Sequence, residues 1–177
     1  MKLVILDRDG TINEDSDAHV KSVKEWQPIP GSLEAIARLS QACYRLVVAT
    51  NQSGIDRGLF DTSTLVAIHD TLQHAAARVG GRIDAFFFCP HAADSSCQCR
   101  KPKPGMLVEI ARRFNVSLAD TYMVGDALRD VEAAAAAGAR PVLVLTGKGQ
   151  RTHDEGKLPA GTAVYPDLAA FARKLAP

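Results

Sequence analysis

The chain has 177 residues, is 46% hydrophobic, and sets 21 Lys plus Arg against 20 Asp plus Glu for a formal net charge of +1. That length buries a core without disulfide staples and reads as one domain, 1–177, while the balanced charge, with no basic stripe or aromatic platform, argues against nucleic acid as a partner. No apolar run approaches membrane-spanning length and no export-type leader opens the chain, so a cytoplasmic monomer without membrane contact is expected.

The first apolar run, Val4-Ile5-Leu6, stops at Asp7-Arg8-Asp9-Gly10-Thr11. It reads as a buried strand that delivers carboxylates at its C-terminal end. Residues two apart in an extended chain point the same way, so Asp7 and Asp9 are expected to face one crevice, where two like charges call for a hard cation such as Mg²⁺. The competing reading is a plain turn, since Asp and Gly are common turn formers.

Residues 12 to 30 read as a polar loop too long for a connector, which points to a site. Ser32 is expected to cap a helix that buries Leu33, Ile36, Ala37 and Leu39. Leu46-Val47-Val48-Ala49 predicts a second buried strand, ending in Thr50-Asn51-Gln52-Ser53-Gly54. A helix over 62 to 79 puts Leu65, Ile68, Leu72, Ala75 and Val79 on one face. A third strand, Ala85-Phe86-Phe87-Phe88, leads to Cys89-Pro90-His91, and a helix follows from Pro104. Tyr122-Met123-Val124 predicts a fourth strand ending in Gly125-Asp126, then an alanine-rich helix closing at Gly138. Val142-Leu143-Val144-Leu145 is the fifth strand, and a last helix covers 167 to 175.

Strands alternating with single helices imply right-handed crossovers and a parallel sheet covered on both faces. The expected fold is therefore a three-layer, Rossmann-like α/β domain, with no stretch long enough for a separate cap domain. Asp7, Asp9, Thr50, Asn51 and Asp126 then all follow strand C-termini, the edge where ligands bind in such sheets. That coincidence weakens the turn reading.

Cys89, His91, Cys97 and Cys99 supply the four N/S ligands of a closed structural Zn²⁺ site, on a loop with too few apolar residues to fold alone. Cys43 reads as a small buried apolar residue, Trp26 as packing, and His69, His74 and His153 as exposed or capping. Gly147-Lys148-Gly149 lacks the spacing of a phosphate loop. Asp130 is balanced between an ordinary first-turn aspartate and support of a metal.

Taken together, Asp7-Arg8-Asp9-Gly10-Thr11, Thr50-Asn51-Gln52-Ser53-Gly54, Arg100-Lys101-Pro102 and Gly125-Asp126 with Asp130 resemble the four motifs of the haloacid-dehalogenase-like phosphohydrolases. Cys89-Pro90-His91 and Cys97-Gln98-Cys99 narrow the resemblance to the zinc-containing branch. The resemblance implies a phosphomonoester hydrolase with an aspartyl-phosphate intermediate. Asp7 would be the nucleophile, and Asp9 an acid and then a base that starts protonated. Mg²⁺ would sit on Asp7, Asp126 and the backbone carbonyl of Asp9, with Thr50, Asn51 and Lys101 around the phosphoryl oxygens. Further substrate contacts are expected from Asp15, Ser16, Asp17, Ala18, Gln52, Ser53 and Arg100.

That branch acts on heptose bisphosphate or on histidinol phosphate. Thr50 to Ile55 with Arg57-Gly58 resembles the sugar-bisphosphate side, and Arg100 is the expected grip on a second phosphate because its guanidinium can make two parallel bonds. Ala127 stands where some relatives carry a lysine. A phosphotransferase and a non-enzymatic zinc-loop module are the readings from other classes.

Overall fold

The computed structural model describes all residues from 1 to 177. In chain order the elements are β1 (Lys2–Leu6), α1 (Ser32–Gln41), β2 (Tyr44–Asn51), α2 (Thr62–Arg78), β3 (Ala85–Cys89), α3 (Gly105–Phe114), β4 (Tyr122–Gly125), α4 (Leu128–Ala137), β5 (Arg140–Val144), α5 (Gly149–Asp154), β6 (Ala163–Tyr165) and α6 (Leu168–Leu175). All six strands pair in parallel in the order β3-β2-β1-β4-β5-β6. The chain runs outward from β1 through β2 to β3, then returns to lay β4 on the other side of β1. That reversal opens a crevice beyond the C-terminal ends of β1 and β4.

The pleat of β1 explains the three layers. Val4 and Leu6 join Leu46, Val48, Ile36, Leu39, Ile68, Leu72 and Phe171 in a core under α1, α2 and α6. Leu3 and Ile5 point the other way and join Val47, Ala49, Leu107, Ile110, Ala133 and Ala134 under α3 and α4. Each fully buried Val, Leu or Ile contributes about 1.5–3 kcal/mol. A one-residue slip of β1 would exchange the two faces, so both cores fix the same register. No helix is long and apolar enough to cross a membrane.

Several local expectations change. Ser32 is the first residue of α1 rather than its cap; Gly31, at φ 83°, occupies the cap position, and the Ser32 hydroxyl donates to the Ile12 carbonyl at 2.6 Å. The segment 12 to 30 is less purely polar than it reads: Ile12, Val20, Trp26 and Ile29 are buried, and Asn13 bridges to Pro28. Its base is thus pinned to the core while residues 14 to 19 reach the surface. Cys43 is exposed in the turn between α1 and β2 at φ 64°, not buried. The short edge strand β6 offers an apolar run of only three residues, and the polar helix α5 has none.

Gly10, at φ 81°, is needed where it stands, because a side chain there would collide with the Asp126 carboxylate.

Candidate active site

Leu3, Ile5 and Asp7 share one face of β1, so Asp7 emerges on the α3–α4 side. Its Oδ1 accepts from the Arg8 N–H at 2.8 Å and lies 3.0 Å from Lys101 Nζ. Its Oδ2 receives no hydrogen bond from the protein. Lys101 is wholly buried, donates from Nζ to the Ala49 carbonyl at 2.7 Å and lies 2.6 Å from Asp130 Oδ1. Burying an ammonium costs several kcal/mol, which two carboxylates and a carbonyl offset only by holding this geometry.

Asp130 closes a helix turn and also reaches the buried lysine. Its Oδ2 accepts from the Ala127 N–H at 3.0 Å, closing the first turn of α4, while Oδ1 faces Lys101. Asp126, at the end of β4, accepts from the Lys148 N–H at 2.8 Å on Oδ2, but its Oδ1 is buried without a partner. Carboxylate oxygens of Asp7, Asp126 and Asp130 lie within 4.8 Å of one another. Burial, then repulsion from Asp130, pushes Asp7 up to about 6; burial, then Asp130 and Asp7, pushes Asp126 up to about 8. An orphaned buried oxygen inside a cluster of repelling carboxylates fits a hard divalent cation such as Mg²⁺.

Asp9 departs from expectation. Val4, Leu6 and Arg8 share the opposite face, so the Arg8 side chain runs into the α2 side and is fully buried. Its Nε and Nη2 donate to the two Asp9 oxygens, each at 3.0 Å, and Asn13 and Gln52 add bonds at 2.9 Å and 3.0 Å. Burial alone would raise Asp9, but Arg8 and these bonds outweigh it and hold the carboxyl below the ordinary range. Asp9 therefore starts ionised in this geometry, not protonated. The sequence hides this because Arg8 reads as one more polar residue of the motif.

His69 is buried rather than exposed. Its ring stacks on Phe86 at 4.4 Å, and its Nε2 is 3.4 Å from Arg8 Nη1.

A polar cavity of about 170 Å³ opens over this centre, lined by Asp7, Asp9, Thr50, Asn51, Ser53, Arg100 and, from the first loop, Asp15, Ser16, Asp17 and His19. Arg129 and Lys148 complete the lining. Thr50 Oγ1 accepts from Gln52 Nε2 at 2.8 Å, which leaves its proton free for a ligand. Asn51 brackets the Lys101 backbone with bonds of 3.0 Å and 3.1 Å, so it positions Lys101 as well as lining the cavity.

Of the expected substrate contacts, Lys101 is wholly buried and outside the lining, and two others do not face the cavity either. Gln52 is buried and turned onto Asp9 and Thr50, and Ala18 is exposed outside the lining. Arg100 donates to the His91 carbonyl at 3.1 Å and pairs with no carboxylate. Arg129 and Lys148 are the residues that sequence reasoning missed. Lys148 Nζ lies 3.0 Å from Asp15 Oδ2 and ties the first loop to the start of α5.

Beyond β3, Cys89, His91, Cys97 and Cys99 converge. Cys89 Sγ is 3.8 Å from Cys97 Sγ, and Cys99 Sγ is 3.3 Å from Cys89 Sγ and 3.4 Å from His91 Nδ1. All four ligand atoms lie within 4.8 Å of one another and no disulfide joins them. Those separations suit the edges of a tetrahedron around an ion held at about 2.0–2.3 Å.

Fold and site together define the class: the chain belongs to the haloacid-dehalogenase-like hydrolases. A family model described as HAD-hydrolase-like matches residues 98–171. The chain is 60% identical to the D-glycero-beta-D-manno-heptose-1,7-bisphosphate 7-phosphatase of Bordetella bronchiseptica over 99% of its own length and 98% of the relative's. Against the enzyme of that name from Pseudomonas putida, identity is 54% over 99% of both chains. A crystal structure of the Bordetella bronchiseptica D,D-heptose 1,7-bisphosphate phosphatase, complexed with magnesium and phosphate, superposes with a TM-score of 0.97 at 60% identity, covering 99% of this chain and 98% of that one.

Proposed function

We propose that residues 1–177 form a single capless phosphatase domain that removes the 7-phosphate of D-glycero-D-manno-heptose 1,7-bisphosphate. The free Oδ2 of Asp7, set against a fully buried lysine at the floor of a polar cavity, carries the reading. Likeness to the named 7-phosphatases supplies the substrate.

Asp7 Oδ2 attacks phosphorus and the bond from phosphorus to the sugar oxygen breaks, with Asp9 giving that oxygen a proton. Water then attacks the aspartyl phosphate, its proton goes to Asp9, and phosphate leaves. Asp9 is held as the base by the Arg8 fork, so the donor step requires it to take up a proton and loosen that fork. Lys101 and the Thr50 hydroxyl meet the negative oxygens of the phosphoryl group. Asp7, Asp126 and the Asp9 carbonyl are the groups that would hold Mg²⁺, which supplies charge neutralisation at the phosphoryl oxygens.

Cys89, His91, Cys97 and Cys99 would hold Zn²⁺ and so stiffen the loop that presents Arg100 and Lys101. Thiols arranged for a metal rather than for disulfides suit a reducing compartment, and hence a cytoplasmic enzyme. Asp15, Ser16, Asp17, Asn51, Ser53 and Arg100 would contact the substrate, Arg100 reaching its second phosphate.

The test is phosphate release, with magnesium, from heptose 1,7-bisphosphate, heptose 7-phosphate and histidinol phosphate. The bisphosphate should show the highest kcat/KM. Faster turnover of histidinol phosphate would move the protein to the other substrate.

A further inference from the structure

Arg100, Arg129 and Lys148 line the cavity and Lys101 lies buried beside Asp7; of these four cations, three are already engaged. Lys101 is held by Asp7, Asp130 and the Ala49 carbonyl; Lys148 is paired with Asp15; Arg100 is fixed to the His91 carbonyl. Arg129 differs. It lines the same cavity from the first turn of α4, yet its side chain makes no ion pair within 4.0 Å and no hydrogen bond, and its Nε is fully buried without a partner. A buried, unsatisfied guanidinium nitrogen is costly to keep, so an arginine left this way calls for a ligand.

Its position says which ligand. The transferring phosphoryl group already has Lys101, Thr50 and the groups around Asp7. Arg100 follows β3 and Arg129 follows β4, so the two stand on opposite flanks of Asp7 in the sheet order. Ala127, two residues before Arg129, has no charge to offer. We propose that Arg129 is a specificity determinant that binds the second, non-reacting phosphate of the substrate opposite Arg100. This rests on the sugar-bisphosphate reading above. Burial disfavours the charge on the guanidinium, but the carboxylates of Asp130, Asp7, Asp126 and Asp15 outweigh it and keep the group charged, and its planar fork can meet two phosphate oxygens at once.

The experiment measures kcat and KM for heptose 1,7-bisphosphate and heptose 7-phosphate on the wild type, Arg129→Gln and Arg129→Lys, with thermal melting to check folding. The wild type comes first: no preference for the bisphosphate overturns the substrate reading itself. Given that preference, Arg129→Gln should lower kcat/KM for the bisphosphate at least about tenfold more than for the monophosphate, chiefly through KM, as loss of a charge-assisted bond would. Arg129→Lys should recover part of it. Equal losses on both substrates, or a preference that survives in Arg129→Gln, would overturn the assignment. If Arg129→Gln does not fold, the Arg129→Lys split decides on the same terms.

Discussion

Lys101 and Asp130 form the innermost ion pair of the protein, 2.6 Å apart and both without solvent exposure at the side chain. Because Asp130 also closes the first turn of α4, one carboxylate links the helix after the metal-type aspartate Asp126 to the lysine that faces the nucleophile. Asp130→Asn should keep the shape but break the pair, costing about 3–5 kcal/mol of stability as one-sided loss of a buried pair does. Urea denaturation measures this, and activity should fall at least tenfold as Lys101 loses its anchor. A stability change under about 1 kcal/mol would mean that the pair is idle.

His69 gives the pH dependence. Burial against Phe86, and then the Arg8 guanidinium, lowers its pKa to about 3, against roughly 6.5 unfolded. Between those values the unfolded chain holds a proton that the folded one refuses. The stability is therefore full above about pH 6.5 and is lost as pH falls toward 3, at up to about 1.4 kcal/mol per unit. His69→Phe keeps a ring against Phe86 and removes the proton site, so its curve of stability against pH should be flatter than the wild-type curve between about pH 6 and 4. Parallel curves would contradict the assignment.

The metal-type clusters should respond differently to chelation. Removing magnesium should stop turnover reversibly without unfolding, whereas removing zinc should loosen residues 89 to 100 and lower the melting temperature. Cys97→Ser should reproduce the second effect. Protein purified without chelator that carries no zinc by elemental analysis would remove the site.

Much of this was legible in the sequence because strand ends announce themselves. Short apolar runs stopping at Asp7, Thr50 and Asp126 placed the site along one sheet edge, and the Cys and His spacing placed the second cluster. What stayed hidden depended on tertiary direction. Arg8 takes the opposite pleat from Asp7, a parity that was readable, but its fork onto Asp9 needs the depth of the α2 side and Asn13 and Gln52 beside it. His69 belongs to the buried stripe of Leu65, Ile68 and Leu72, yet its polar ring reads as exposed or capping. Arg129, between Leu128 and Asp130, belongs to none of the motifs, and only the folded chain brings it to the crevice. β6 has three residues at the sheet edge and little apolar pattern.

The role of Asp7 as nucleophile can be read by rapid acid quench of the magnesium-loaded enzyme with heptose 1,7-bisphosphate, followed by peptide mass spectrometry. A phosphoryl group is expected on the peptide carrying Asp7, lost to hydroxylamine and absent in an Asp7→Asn protein that still folds. Phosphate release by Asp7→Asn within tenfold of the wild type, or a phosphoryl group trapped on any other residue, would contradict it.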